Sequence, residues 1–233
     1  MTTASESGQH ASSSGRPLAA LRRLVRASPL PMRATQHCEL CAEPISQAHR
    51  HLLECTQRRL LCACNACTLL FEKEGAGAGK YQTVPDRYLA LRDFVMTDSE
   101  WDELMIPVNM AFLVRSSGTV SAYYPGPAGA TESLLSLPLW ETLKRHNAPL
   151  QTMVDDVEAL LIYRVRGARA YSIVPIDACY QLVGLIRSTW RGFSGGETAW
   201  QAIEAFFTSI QARSVTIGAD PSMKEDGHAR SEL

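Results

Sequence analysis

HCELCAEPISQAHRHLLECTQRRLLCACNACTLLF, residues 37–71, holds six of the seven cysteines of a 233-residue chain. Two pairs stand out, Cys38-x2-Cys41 and Cys64-x2-Cys67, with 22 residues between Cys41 and Cys64. In a CxxC turn both sulfurs converge on one side and backbone N–H groups point at them. Two such knuckles brought together close a tetrahedron around one ion. The intervening sequence supplies the means. HRHLLE and RRLLCA read as strands, with CTQ at the turn between them, and TLLFEKE after Cys67 reads as the start of a helix. Knuckle, hairpin, then knuckle at a helix N-terminus is the order of a zinc-ribbon or treble-clef-like module.

The first choice of ligands is Cys38, Cys41, Cys64 and Cys67, holding a structural Zn2+. Cys62, His49 and His51 are alternates. On strand alternation Cys62 and Cys64 share a face, so Cys62 can replace Cys64 or line the site. Cys55, near the turn, reads as a bystander. An iron–sulfur cluster also takes four thiolates and stays open as the rival cofactor.

Outward from the module the chain changes character. Residues 1–35 are polar, Ser- and Arg-rich and read as a disordered tail, with a short amphipathic helix possible over 17–27. The module spans 36–74, GAGAGK (75–80) reads as a Gly-rich linker, 81–213 as an α+β domain, and 214–233 as a second disordered tail. In the domain, DRYLALRDF reads as a turn or two of helix. VNMAFLVRS and TVSAYYPG flank Ser117-Gly118 as a hairpin, with Pro125 and Pro127 ending its second strand. LPLWETLKRHN reads as a helix, DDVEALLIYRVRG as either a helix or a turn entering a strand over 160–165, and AYSIVPID as a strand. Apolar residues at three- and four-residue spacing predict a helix over 177–190 and another through TAWQAIEAFFTSIQAR. Mixed helices and strands give the α+β class.

A net charge of −1 gives no footprint for nucleic acid. No apolar run reaches the length of a transmembrane helix, and the N-terminus lacks a signal peptide's unbroken apolar core. A cytoplasmic, reducing setting is therefore expected, in which clustered cysteines hold metal rather than disulfides.

Several stretches imitate catalytic motifs. GFSGG (192–196) matches the nucleophile-elbow pattern, but a helix is expected before it where a strand is needed. It reads as a turn between helices, with Ser194 or a neighbour capping the second. GAGAGKY lacks the P-loop spacing. Asp155-Asp156 reads as helix-dipole compensation. Cys179 reads as a core thiol and His146 as a helix end cap.

CELC, HRHLLE, LLCACNACTLLF, VNMAFLVRSSGTVSAYYPGPAGATES and VPIDACYQLVGLIRSTWRGFSGG, followed by a helix with Trp and two Phe, together resemble an uncharacterised bacterial family encoded beside high-affinity uptake [NiFe] hydrogenases. The likeness covers roughly 36–213, and its cysteine pattern falls on Cys38, Cys41, Cys62, Cys64 and Cys67. It implies an accessory protein of a [NiFe] hydrogenase system, acting in assembly, maturation or subunit docking, with hydrogenase subunits or other accessory proteins as partners. An electron-transfer protein with an iron–sulfur cluster is the second reading. A small-molecule enzyme using the C-terminal domain, with Ser194 or Cys179 as nucleophile, is the third.

Overall fold

The computed structural model describes residues 36–72, 77, 79–133 and 137–218. The predicted N-terminal tail and its helix lie outside these residues, as does most of the GAGAG run.

The first elements are two-residue strands, β1 (Gln36–His37) and β2 (Pro44–Ile45), which pair around the first knuckle. Strands β3 (Arg50–Glu54) and β4 (Arg59–Ala63) form the expected antiparallel hairpin. Helix α1 (Asn65–Glu72) follows at once. Strand β5 (Tyr81–Thr83) lies beyond the Gly-rich run, yet it pairs with β3 and gives the sheet order β4-β3-β5. The sequence places a linker over 75–80, with a new domain after it. In the structure the described residues from His37 to Gly218 fall within one compact unit.

The main sheet uses β6 (Leu89–Leu91), β7 (Met110–Ser116), β8 (Thr119–Gly126), β9 (Gly129–Ser133), β10 (Glu158–Tyr163), β11 (Ala170–Pro175) and β12 (Val215–Ile217). Its order is β12-β6-β11-β10-β7-β8-β9. All neighbours are antiparallel except β12 and β6. Among the described residues four α-helices accompany it: α2 (Asp98–Glu103), α3 (Leu137–His146), α4 (Ile176–Thr189) and α5 (Glu197–Arg213). This is the predicted α+β fold.

Alternation along the central strands explains why both sheet faces are covered. Phe112 and Val114 of β7, with Ala159 and Leu161 of β10, enter one core with Leu182 and Ile186 of α4 and Ile203 and Phe207 of α5. Ala111, Leu113, Leu160 and Ile162 point the other way, into a core with Trp140 and Leu143 of α3 and Trp101 near the start of that layer in α2. A strand buried on both faces must read as a continuous apolar run, and MAFLV and ALLI do.

The β7–β8 hairpin closes as predicted through Ser117 and Gly118, with φ of 47° and 81°. Both central residues of this turn need positive φ, which glycine adopts without steric cost. Other expectations are corrected. DRYLALRDF supplies strand β6, because Leu89 and Ala90 pair with β11. Of the two readings of the stretch after Asp155-Asp156 the structure has the turn entering a strand, β10, and Asp155 pairs with Arg115 instead of a helix dipole. Strand β8 runs on through Pro125 to Gly126. Residues 215–217 are a strand on β6, where a disordered tail is expected.

GFSGG is a turn between helices, as its context requires, since α4 and not a strand precedes it. No side chain caps α5, whose N-cap is Gly196. Gly195 has φ of 85°, and a Cβ there would sit 2.8 Å from the Trp190 ring. Gly195→Ala is therefore expected to cost about 1–3 kcal/mol, from backbone strain and displacement of the indole. Thermal unfolding followed by circular dichroism measures it; an unchanged midpoint would show that the turn relaxes freely.

Candidate metal centre

The first knuckle is built by a tight reversal after Cys38. The Ala42 N–H donates to Cys38 O at 2.8 Å, the Cys38 N–H donates to Glu43 O at 2.8 Å, and Ala42 takes a φ of 63°. Glu39 fastens this loop to the hairpin. Its N–H donates to Cys62 O at 2.9 Å, and its carboxylate accepts from the Cys62 N–H at 2.6 Å.

The second knuckle coincides with the start of α1. Cys64 occupies the capping position, and its sulfur accepts from the Cys67 N–H at 3.4 Å. Thr68 donates both its N–H and its hydroxyl to Cys64 O at 3.0 Å. The second pair thus sits among the orphan N–H groups of a helix start, one of which donates to sulfur.

These two turns bring Cys38, Cys41, Cys64 and Cys67 together, with their four sulfurs all within 4.8 Å of one another. Cys41 and Cys64 are the explicit close pair, at 3.6 Å. Cys38 is buried, Cys41 is exposed, and the other two lie between. Leu52 and Ala63 form the small apolar floor, with Leu40, Ile45 and Phe71 at its margin.

The electrostatics match a cation site. Burial pushes the Cys38 thiol up, but hydrogen bonds from Cys64, Leu40 and Cys41 outweigh it and bring the group down to about 6. Cys67 is pushed up, by burial first and then by the neighbouring sulfurs of Cys41, Cys64 and Cys38. Sulfurs this close cannot all ionise unless a positive charge joins them. The group can therefore bind a metal ion.

The alternates do not join this group. His49, His51 and Cys62 converge on one another, with donor atoms within 4.8 Å. The alternation argument fails for Cys62 because the strand ends at Ala63. Cys64 already belongs to the turn into α1, so it does not continue the pleat. Ala63 lies with the four-cysteine floor, and Cys62 faces the opposite way. Burial, with Glu39 and Cys38 nearby, holds the Cys62 thiol up. Cys55 stays apart from both groups, its sulfur exposed beside Leu53 O. Cys179 is fully buried in the main core and its thiol is pushed up by that burial. That leaves it a packing residue rather than a nucleophile.

No described helix is long and apolar enough to cross a membrane. A protein-family model with the description "Family of unknown function (DUF5947)" matches residues 37–214. No curated protein and no solved structure matches the chain.

Proposed function

We propose, for a chain that belongs to the DUF5947 family of unknown function, that the first module is a structural zinc site and that the protein serves as a cytoplasmic accessory factor. Its partner would be a [NiFe] hydrogenase, in assembly, maturation or subunit docking. The observation that carries the metal reading is the sulfur geometry. Zn–S bonds of about 2.3 Å give a tetrahedral edge of about 3.8 Å. The Cys41–Cys64 separation of 3.6 Å and the 4.8 Å envelope of all four sulfurs fit one ion. An iron–sulfur cluster interposes several atoms between its thiolates and needs them further apart.

A structural role also follows from the size of the module's own core, which is Cys38, Leu52 and Ala63. Leu53 and Leu60 anchor the hairpin to the main core, but so little apolar area around the knuckles cannot order their two loops, and a metal supplies the missing free energy. The hydrogenase association rests on the sequence resemblance described above. Purification without oxygen is expected to give colourless protein with zinc bound. Iron with acid-labile sulfide and a broad visible band would replace this reading with electron transfer. For the partner, a tagged chain co-expressed with hydrogenase subunits is expected to retain them. Metal-loaded protein that retains none would remove the hydrogenase role.

A further inference from the structure

His51 lies in β3, and Cys62 is its direct cross-strand partner in β4. Directly opposed residues of an antiparallel pair hold their Cβ atoms about 4.5–5.5 Å apart on one face. His49 precedes His51 by two residues, and the two rings lie 4.7 Å apart at 58°. Strand β3, the residue just before it and strand β4 thus bring two imidazoles and a thiol together, their donor atoms within 4.8 Å.

The hydrogen bonds fix which ring nitrogens are free to act as ligands. His49 Nδ1 lies 3.0 Å from Ser46 O, a carbonyl that only accepts, so this nitrogen carries the proton. His51 Nδ1 lies 2.8 Å from Asp177 Oδ2 and is protonated for the same reason. Both Nε2 atoms are then left with lone pairs. His49 Nε2 is buried and has no hydrogen-bond partner, as is Asp177 Oδ1. A buried acceptor without a partner is destabilising, and a ligand can relieve it. Imidazoles that donate Nδ1–H to a carbonyl and to a carboxylate, while offering Nε2, are arranged as metal-binding histidines are.

We propose that His49, His51 and Cys62 form a second transition-metal site, separate from the four cysteines, with Asp177 as the group that orients His51. The donor set is mixed nitrogen and sulfur, suited to a borderline divalent ion such as zinc. Three protein donors leave a fourth position for water or an added ligand, unlike the closed tetrathiolate site. All three residues are half-buried, so the site lies close to the surface although the His49 Nε2 atom itself is covered.

Cobalt(II) titration of the full, metal-free, reduced chain tests this. The expected result is two equivalents bound, and only one in His49→Gln and in Cys62→Ser, with the tetrathiolate absorption intact in both. Azide should alter only the ligand-field bands lost in those variants, because only that ion has an open position. Asp177→Asn should keep two equivalents but weaken the second about 10- to 100-fold. Should Cys62→Ser not fold, His49→Gln decides alone, since His49 lies outside the β3–β4 pairing. Wild type stopping at one equivalent, or a folded His49→Gln variant still taking two, overturns the proposal. The test does not depend on the hydrogenase reading, because neither metal count requires a partner.

Discussion

The Cys64→Ser variant is expected to lose the tetrathiolate metal and most of the stability of the folded chain. Two effects add. The substitution removes one of four thiolates from a site of the kind that contributes on the order of 10 kcal/mol to folding. It also removes the sulfur that accepts the Cys67 N–H at the start of α1. The loss should not stay inside the module. Leu53 of β3 is buried in the main core with Phe112, Leu161 and Leu182, and Leu60 of β4 packs against that core. Gln82 of β5 donates to Asp155 O at 3.1 Å. One lowered, broadened transition is therefore expected in calorimetry, and a chelator should reproduce it in the wild type. A variant that keeps the wild-type midpoint would mean that the four thiols carry no structural ion. Acid should act in the same direction, because a ligand thiolate must lose its metal to regain its proton.

Arg87→Ala is the second variant with a large expected effect. Glu158 is fully buried, and its carboxylate takes two bonds from Arg87, at 2.7 and 2.5 Å, plus the Val154 N–H at 2.8 Å. Arg87 also donates to Thr152 O at 2.8 Å, so it ties the start of β10 to the turn before it. Removing the guanidinium leaves a carboxylate buried without its counter-charge, which costs about 3–5 kcal/mol. For a domain of this size that is a fall in melting midpoint of about 10 °C. Converting the acid as well, in Arg87→Leu/Glu158→Leu, should recover much of the loss, since the penalty belongs to the stranded charge. Equal destabilisation in single and double variants would instead point to lost packing.

The features legible in the sequence are those whose cause is local. The knuckles, the β3–β4 and β7–β8 hairpins, α4 and α5 each follow from turn residues or a hydrophobic period within about fifteen positions. The misread elements take their structure from distant partners. Strand β6 has three residues, too few to show a period, and exists because β11 and β12 flank it. Strand β12 is likewise fixed only by pairing with Leu89–Leu91. The four cysteines were legible because spacing alone brings each pair together. The second group was visible only as spare ligands, because Asp177 stands 126 positions from His51 in sequence. One local signal could have separated it: in strand alternation His51 falls on the face of Leu53, away from the knuckle cysteines, with His49 two residues before it.

Strand β3 carries Leu52 toward the four thiols and Leu53 toward the main core, with His51 on the face of Leu53. Its reading frame is thus locked twice over. A slip of one residue would exchange the two leucines, turn the imidazole of His51 toward the sulfurs and break its bond to Asp177, all in a single step. Length changes in this protein should accordingly collect in the turn after Glu54, while β3 itself keeps its five residues.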